Sequence, residues 1–286
     1  ESKTYLLGKA IVAEGLKKGA FYREADGSVW VDLTADGLDK KILQRSDGTS
    51  VYITQDLGLA VQRHKEFKFT SLAYVVGHEQ EYHFKVLFLI LQKLGYAWVK
   101  KLRHLSYGLV FLPEGKMKSR EGKVVDADDI MAEVVELARE QITKRQTGIK
   151  AKERERRAQA IGLGALKFFL LRVTPTQSIH FNPAEAIAFE GATGPYVQYA
   201  HARIASMLKS AKIGNVKSTD LSKLSTPEEK AVLLKLLAYP KVVKEAAQNY
   251  SPNTVCDYLV SLAQAFNTFY HKHQVLKAED KATRAA

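Results

Sequence analysis

The sequence predicts an α/β unit followed by an all-α unit. In the first part of the chain, short apolar runs alternate with runs that have apolar residues at helical spacing, which is typical of a parallel sheet covered by helices. From Asp128 onward the pattern is almost wholly helical. The chain has 286 residues, which is enough for two domains of ordinary size.

The composition indicates a basic globular protein. Hydrophobic residues make up 46% of the chain, charged residues 26%, and the formal net charge is +12. This charge favours an anionic partner such as nucleic acid or nucleotide. The single cysteine, Cys256, excludes an intrachain disulfide and fits a reducing, cytoplasmic compartment. We find neither a signal-peptide pattern nor an uncharged apolar run that could cross a bilayer, so no membrane partner is expected.

The first 60 residues are predicted to form short strands and turns. Residues 29–33 and 51–54 are β-like runs that each follow a turn, and a helical pattern begins at Asp56. Residues 72–77 form an apolar run ending in glycine, as expected of a buried parallel strand.

A predicted helix at residues 84–94, which Gly95 can end, separates that strand from a second one at residues 107–113. Ligand-binding loops lie at the carboxyl ends of parallel strands. The segments after Gly77 and after Phe111 are therefore expected at the same edge of one sheet.

A basic loop follows the second strand. Residues 115–123 read Gly-Lys-Met-Lys-Ser-Arg-Glu-Gly-Lys, and Asp126, Asp128 and Asp129 then open a helical pattern. A glycine-hinged loop of this kind can place lysines on the oxygens of a triphosphate. On composition alone it can equally be a solvated surface loop.

The helical part contains a basic stretch at residues 144–157, which is either a solvated helix face with paired charges or a phosphate-contacting surface. Residues 181–183 mark a connection. Residues 187–286 form a helical unit with a polar linker at residues 214–226.

Polar residues with binding chemistry lie on either side of the predicted strand at residues 72–77. Tyr52 and Asp56 are four residues apart, so on a helix they share a face and can hold a guanidinium; alternatively, Asp56 only caps the helix. Gly77 permits close approach of a ligand, and Gln80 offers a donor and an acceptor. His83 either packs against a purine ring or is structural. With His78 it lacks a third ligand at a recognisable spacing, so no metal site is expected.

Together these residues resemble the arginyl-tRNA synthetases, a family of class I aminoacyl-tRNA synthetases. The basic loop resembles the Lys-Met-Ser-Lys-Ser signature of class I, and Glu-Gly-Ala-Thr-Gly-Pro-Tyr-Val-Gln-Tyr-Ala-His-Ala-Arg-Ile at residues 190–204 resembles the start of the family's anticodon-binding domain. The other segments that carry the resemblance are residues 45–56, 74–84 and 266–270. The likeness extends from Glu1 to about Leu276.

The resemblance implies the second half of a class I nucleotide-binding, Rossmann-like catalytic domain at residues 1–140. A helical connection at residues 141–186 and an α-helical bundle anticodon-binding domain at residues 187–286 follow. The His-Ile-Gly-His signature of class I does not occur in the sequence. We therefore expect the first half-fold to precede Glu1 and the family's last helix to follow Ala286.

The implied parent activity is that of an arginine–tRNA ligase. The carboxylate of L-arginine attacks the α-phosphate of ATP, which Mg²⁺ is expected to accompany, and the arginyl group then passes to arginine tRNA. The resemblance also implies that tRNA must be bound before arginine is activated, as in a minority of synthetases. No editing domain and no obligate protein partner are expected, and the chain alone is expected not to form arginyl-adenylate.

The resemblance also assigns residues to roles in the catalytic part. The residues expected to hold arginine are Tyr52, Asp56 and Gln80. The residues expected near ATP are Gly77, His83, Met117 and Lys118. The catalytic residues expected in the loop are Lys116, Lys118 and Ser119. Because the signature has serine third and lysine fourth, whereas this loop has the reverse order, either Lys118 or Arg120 can face the phosphates.

The residues expected to contact tRNA are Tyr196, His201, Arg203 and Tyr270. Their spacings suit the core of a helical bundle as well as base stacking, so both interpretations stay open. Two other functions also stay open: a non-catalytic RNA-binding module that reuses the helical domain, and a class I synthetase of different specificity.

Overall fold

A computed structural model describes residues 4–112, 115–116, 126–146, 148–211, 221–273 and 275–277. The chain divides into two compact units, Glu1–Tyr107 and Gly108–Ala286. Among the described helices, none combines the length and apolar character needed to cross a bilayer.

The first unit packs three helices with two small sheets. Its elements are, in chain order, α1 (Thr4–Lys17), β1 (Tyr22–Arg23), β2 (Val29–Val31), β3 (Lys41–Gln44), α2 (Tyr52–Phe67), β4 (Leu72–Gly77), α3 (Glu81–Lys93) and β5 (Leu102–Tyr107). The strands β1, β2 and β3 are antiparallel, whereas β4 and β5 are parallel, with Gly77 opposite Tyr107 at their carboxyl ends. The predicted parallel strand at residues 72–77 and the helix stop at Gly95, where φ is +83°, are confirmed. The expected burial of the strand is wrong, since none of its residues is buried and Val75 is 62% exposed.

One core joins the elements of the first unit. Val31, Leu43, Leu57 and Ile90 are all fully buried within it, and they come from β2, β3, α2 and α3. The hydroxyl of Thr54 is also buried in α2 and donates to the carbonyl oxygen of Leu43 at 2.5 Å. The inner face of α2 is thereby fixed against β3.

Two predictions for the amino-terminal segment are wrong. Helix α1 occupies a region predicted as strands and turns. The helix was not predicted because Gly8 and Gly15, which have low helix propensity, share its buried face with Ile11 and Val12. Residues 51–54, predicted as a strand, belong to the start of α2 except for Val51, which is its N-cap.

The second unit contains a small sheet and a series of helices. Its elements are β6 (Val110–Leu112), β7 (Gly115–Lys116), α4 (Ala127–Arg145), α5 (Ala151–Leu171), β8 (Ile179–His180), α6 (Pro183–Ala186), α7 (Gly194–Ala211), α8 (Pro227–Asn249) and α9 (Asn253–Lys272). The predicted helix after the acidic residues is confirmed, with Asp126 at the N-cap of α4. In the last three helices, Ala200 of α7 packs with Ala263 and Phe266 of α9.

The single strand predicted at residues 107–113 is wrong, because β5 ends at Tyr107 and β6 begins at Val110. Between them the Gly108 N–H donates to the carbonyl oxygen of Pro175, and a Cβ at Gly108 would lie 2.3 Å from the backbone of Gln177. Strand β6 pairs with β7 and β8, whereas β4 pairs with β5. The expectation that the segments after Gly77 and Phe111 share an edge of one sheet is therefore also wrong.

Helices α1 and α2 approach each other so closely that only glycine fits at the crossing. A Cβ at Gly58 would lie 2.6 Å from the carbonyl carbon of Leu7 and 2.7 Å from the nitrogen of Gly8, both of which are backbone atoms. Real Cβ contacts are almost never that short, so a larger residue must push the helices apart.

We expect Gly58→Ala to destabilise the first unit by about 1–3 kcal/mol, because overpacking outweighs the gain of about 1 kcal/mol in helix propensity. Trp30 and Trp98 are the two tryptophans of the chain and both lie in this unit, so tryptophan fluorescence during urea unfolding reports on it. Gln62→Ala, at an exposed position of the same helix, is the control. An unfolding midpoint for Gly58→Ala at or above that of the unchanged chain would contradict this packing.

Candidate functional site

The carboxyl end of the parallel sheet in the first unit carries a group of polar residues. After Gly77 a short 3₁₀ helix, His78–Gln80, leads directly into α3. The ring nitrogen Nδ1 of His78 lies 3.4 Å from the carbonyl oxygen of Tyr107, so the two strand ends are tied together. Gln80 is exposed at the end of this 3₁₀ helix.

Gly77 has room around it. A Cβ there would lie 3.8 Å from the ring of Tyr107, which is an ordinary van der Waals distance. Packing within the unit therefore does not by itself require glycine at this position, in contrast to Gly58.

Tyr52 and Asp56 lie one turn apart at the start of α2, as the four-residue spacing predicts. The side chain of Tyr52 is 84% exposed and that of Asp56 is 45% exposed. The alternative that Asp56 caps the helix is wrong, since α2 begins at Tyr52 with Val51 as its N-cap. The carboxylate is thus free of a capping role and can accept hydrogen bonds from other donors.

Asp56 meets a residue of the next helix. Nε2 of His83, near the start of α3, lies 2.8 Å from Oδ2 of Asp56, and the imidazole is 25% exposed. The structure therefore brings together one residue predicted to hold arginine and one predicted to lie near ATP. Their separation of 27 residues gives no helical or strand spacing from which this contact could be inferred.

Sequence reasoning did not single out Tyr74 as a site residue. Its hydroxyl is buried and has no hydrogen-bond partner among the described residues. Its ring lies 5.0 Å from that of Phe84, and the guanidinium carbon of Arg63 lies 5.7 Å from the ring centroid. Burial raises the pKa of the Tyr74 hydroxyl, against the opposing effect of the Arg63 charge. The sequence signal that could have identified Tyr74 is a tyrosine at one of the alternating inward positions of β4.

His104 of β5 supports the same corner. Its ring stacks on Phe84 with centroids 4.3 Å apart, and Nε2 lies 3.0 Å from the carbonyl oxygen of Val76. A groove of about 220 Å³ lies beside these rings and is lined by Glu81, Phe84, Lys85, Phe88, His104 and Ser106. His83 contacts the edge of the Phe84 ring at a centroid distance of 5.6 Å.

The basic loop begins as the second strand of a hairpin. Lys116 of β7 pairs with Phe111 of β6, which fixes where its backbone lies. The other predicted residues of this loop, Met117, Lys118, Ser119 and Arg120, lie outside the described residues.

Three of the four residues predicted to contact tRNA belong to one network between α7 and α9. The guanidinium of Arg203 lies 4.6 Å from the ring centroid of Tyr199 and 4.5 Å from that of Tyr270. It donates to Oδ1 of Asn267 and to the Tyr199 hydroxyl, each at 2.8 Å, while Asn267 donates to the Tyr196 hydroxyl at 3.1 Å. The arrangement holds the two helices together by stacking and hydrogen bonds.

Two side chains of α7 are exposed at this network. Tyr199 has 49% of its surface exposed, and His201 is exposed on the same helix. An exposed aromatic ring backed by a guanidinium can stack on an unpaired base.

Much of the basic stretch at residues 144–157 is internally paired. Glu153 accepts hydrogen bonds from Arg156 and Arg157, which lower the pKa of Glu153 to about 2, and Glu155 pairs with Arg139 of α4. These contacts favour the interpretation as a solvated helix face for these residues. Within the described part of the chain, no group of three or more His, Cys, Asp or Glu side chains is placed to hold a metal ion.

Comparison with known proteins gives matches along almost the whole chain. Residues 7–182 match the family described as tRNA synthetases class I (R), catalytic domain, and residues 197–286 match the DALR anticodon binding domain. The arginine–tRNA ligase of Flavobacterium psychrophilum is 49% identical over 98% of this chain and 47% of that protein. The ligase of Parabacteroides distasonis is 50% identical over 98% of this chain and 48% of that protein. The chain thus spans about half the length of these curated relatives.

Solved structures agree with these matches. Thermus thermophilus arginyl-tRNA synthetase superimposes with a TM-score of 0.87 at 27% identity, covering 98% of this chain and 54% of that chain. The Plasmodium falciparum arginyl-tRNA synthetase, at 20% identity and a TM-score of 0.80 over 98% of this chain and 48% of that one, supports the fold. Since the catalytic-domain family model alone matches well over half of the residues, this chain belongs to the class I arginyl-tRNA synthetases.

Proposed function

We propose that this chain is the carboxy-terminal half of an arginine–tRNA ligase that acts in the cytoplasm. In this proposal residues 1–140 are the second half of the catalytic domain, residues 141–186 connect it, and residues 187–286 form the anticodon-binding domain. The observation that carries the proposal is the pair of Tyr52 and Asp56 on the outer face of α2, where a ring and a carboxylate are both accessible.

This pair has the chemistry needed to select arginine. A planar guanidinium can donate hydrogen bonds to the Asp56 carboxylate and stack on or donate to the Tyr52 ring and hydroxyl. Gln80 is exposed at the end of the 3₁₀ helix that follows β4, and it offers an acceptor and a donor to the rest of the arginine molecule. A lysine side chain would leave some of these acceptors unpaired, which penalises its binding.

Activation of arginine then depends on positioning and charge stabilisation. The carboxylate of arginine attacks the α-phosphate of ATP and pyrophosphate leaves, so negative charge must be stabilised on the phosphate oxygens. We assign this role to Lys116, Lys118 and Ser119, with Met117, Gly77 and His83 near the nucleotide and Mg²⁺ accompanying it. Transfer to the terminal ribose of arginine tRNA completes the reaction.

The helical unit supplies the tRNA contacts in this proposal. Tyr196, Arg203 and Tyr270 form the network that holds α7 and α9, and His201 lies exposed next to it on α7. A net charge of +12 favours association with a polyanion.

We expect the isolated chain to form no arginyl-adenylate, because half of the ATP site would be missing. A hybrid that carries this chain in place of the matching 47% of the Flavobacterium psychrophilum enzyme should be active. Arginine-dependent ATP–pyrophosphate exchange in the presence of arginine tRNA measures both. Exchange by the isolated chain would contradict the first expectation, and an inactive but folded hybrid would favour a non-catalytic RNA-binding module.

In the same hybrid, we expect Asp56→Ala to raise the KM for arginine about 10²-fold or more, because a charge-assisted pair is lost, while the KM for ATP changes little. Glu24→Ala, at an exposed carboxylate in the turn between β1 and β2, is the matched control. An unchanged KM for arginine in Asp56→Ala would mean that a residue other than Asp56 sets the specificity.

For the helical unit, we expect this chain to bind arginine tRNA more tightly than a non-cognate tRNA, and the preference to persist when the salt concentration is raised. Fluorescence anisotropy at two salt concentrations measures this. His201→Ala should weaken cognate binding about fivefold or more if the imidazole stacks on a base, whereas Lys241→Ala, at an exposed position of α8, should not remove the preference. Equal binding of both tRNAs that collapses with salt would indicate only a basic surface.

A further inference from the structure

The contact between Asp56 and His83 has chemistry beyond holding two helices together. Asp56 lies on the second turn of α2 and His83 lies in the first turn of α3, and Oδ2 and Nε2 are 2.8 Å apart. Both side chains reach solvent, at 45% and 25% exposure. The pair therefore sits at the surface where a ligand of Asp56 would arrive.

The direction of this hydrogen bond follows from its acceptor. An ionised carboxylate has no proton to give, so Nε2 of His83 must carry the hydrogen whether the imidazole is neutral or charged. In the neutral ring, Nδ1 is then the unprotonated nitrogen. The neutral tautomer orients Asp56 without cancelling its charge, whereas the imidazolium both orients and neutralises it.

We propose that His83 is a positioning residue for arginine, which holds one oxygen of Asp56 and weakens arginine binding when it takes up a proton. The inference rests on the proposed role of Asp56 as the guanidinium-binding carboxylate. With Oδ2 held by Nε2–H, the remaining acceptor sites of the carboxylate are directed to the ligand. An imidazolium at 2.8 Å from the same carboxylate adds a positive charge beside a site for a cation.

Other ionisable groups lie on the elements packed around the pair. Arg63 on α2 adds a permanent positive charge over the ring of Tyr74 on β4, and His104 on β5 stacks on Phe84. Next to His83, the ring of Tyr82 contacts Lys41, and its hydroxyl donates to Asp39 at 2.6 Å. His104 also carries an imidazole, so the test must separate the two histidines.

The sign of the effect is fixed by linkage. If arginine binds better to the form with neutral His83, protonation of His83 raises the KM for arginine as the pH falls, by up to tenfold per pH unit for a single proton. Where the imidazole is neutral, the KM is flat. His83 is also assigned to the neighbourhood of the nucleotide, but the proposed action is on Asp56, so the KM for ATP is not expected to follow the same profile.

Two variants of His83 separate the effect of its hydrogen bond to Asp56 from the effect of its protonation. In His83→Gln, the amide nitrogen can donate to Oδ2 in place of Nε2 but does not take up a proton, so we expect the acid-side rise in the KM for arginine to be lost. In His83→Ala, the hydrogen bond to Asp56 is lost as well, and we expect the KM for arginine at neutral pH to be about tenfold higher than in the unchanged enzyme. His104→Gln, the control, should keep the acid-side rise.

The decisive experiment combines two measurements. Nitrogen-15 NMR of the imidazole rings in this chain should show His83 as the Nε2–H tautomer, with ring shifts that change in Asp56→Asn. The KM for arginine across pH in the hybrid enzyme should show the acid-side rise, its loss in His83→Gln and its retention in His104→Gln. An Nδ1–H tautomer, or ring shifts indifferent to Asp56→Asn, would overturn the inference whatever the kinetics.

The kinetics keep this inference distinct from the proposed function. If Asp56→Ala destroys arginine use but His83→Gln leaves the pH profile unchanged, the proposed function stands and the role of His83 is refuted. If Asp56→Ala has no effect, the proposed function of Asp56 fails, and the inference built on it fails with it even when the NMR result shows the predicted tautomer.

Discussion

The close packing of α2 is the constraint on which the candidate arginine site depends. On its inner face, Gly58 admits the backbone of α1, Leu57 is fully buried, and the Thr54 hydroxyl donates to β3. A helix fixed at three points on one face has no freedom to rotate. The helical period then directs Tyr52 and Asp56 outward, so the position of the carboxylate is a consequence of contacts made on the opposite face.

Local spacing was sufficient to predict the parts of the site that lie on one element. The four-residue interval between Tyr52 and Asp56 already indicated a shared helix face, and the glycine-ended apolar run indicated β4. The contact of Asp56 with His83 could not be predicted, because it depends on how α2 and α3 pack. Helix α1 was missed for a related reason: Gly8 serves a tertiary crossing, and its low intrinsic helix propensity obscured the local pattern.

The helical unit shows why the two interpretations of its aromatic residues were hard to separate from sequence. Arg203 is enclosed by Tyr199 and Tyr270 and bonded to Asn267, which is the behaviour of a structural residue. The same enclosure leaves Tyr199 half-exposed with a cation beneath its ring. Residues that hold two helices together can thus also present a rigid stacking surface, and spacing alone does not distinguish the two roles.

The two faces of α2 also link stability to specificity. Any change that alters the crossing at Gly58 shifts the helix axis, and with it the distance between Asp56 and His83, which is only 2.8 Å. Hydrogen bonds weaken steeply when their geometry is lost. A substitution on the buried face therefore acts on the candidate site through the position of the carboxylate, without any contact with a ligand. The glycines at this crossing are consequently part of the structural basis of arginine recognition in the proposed function.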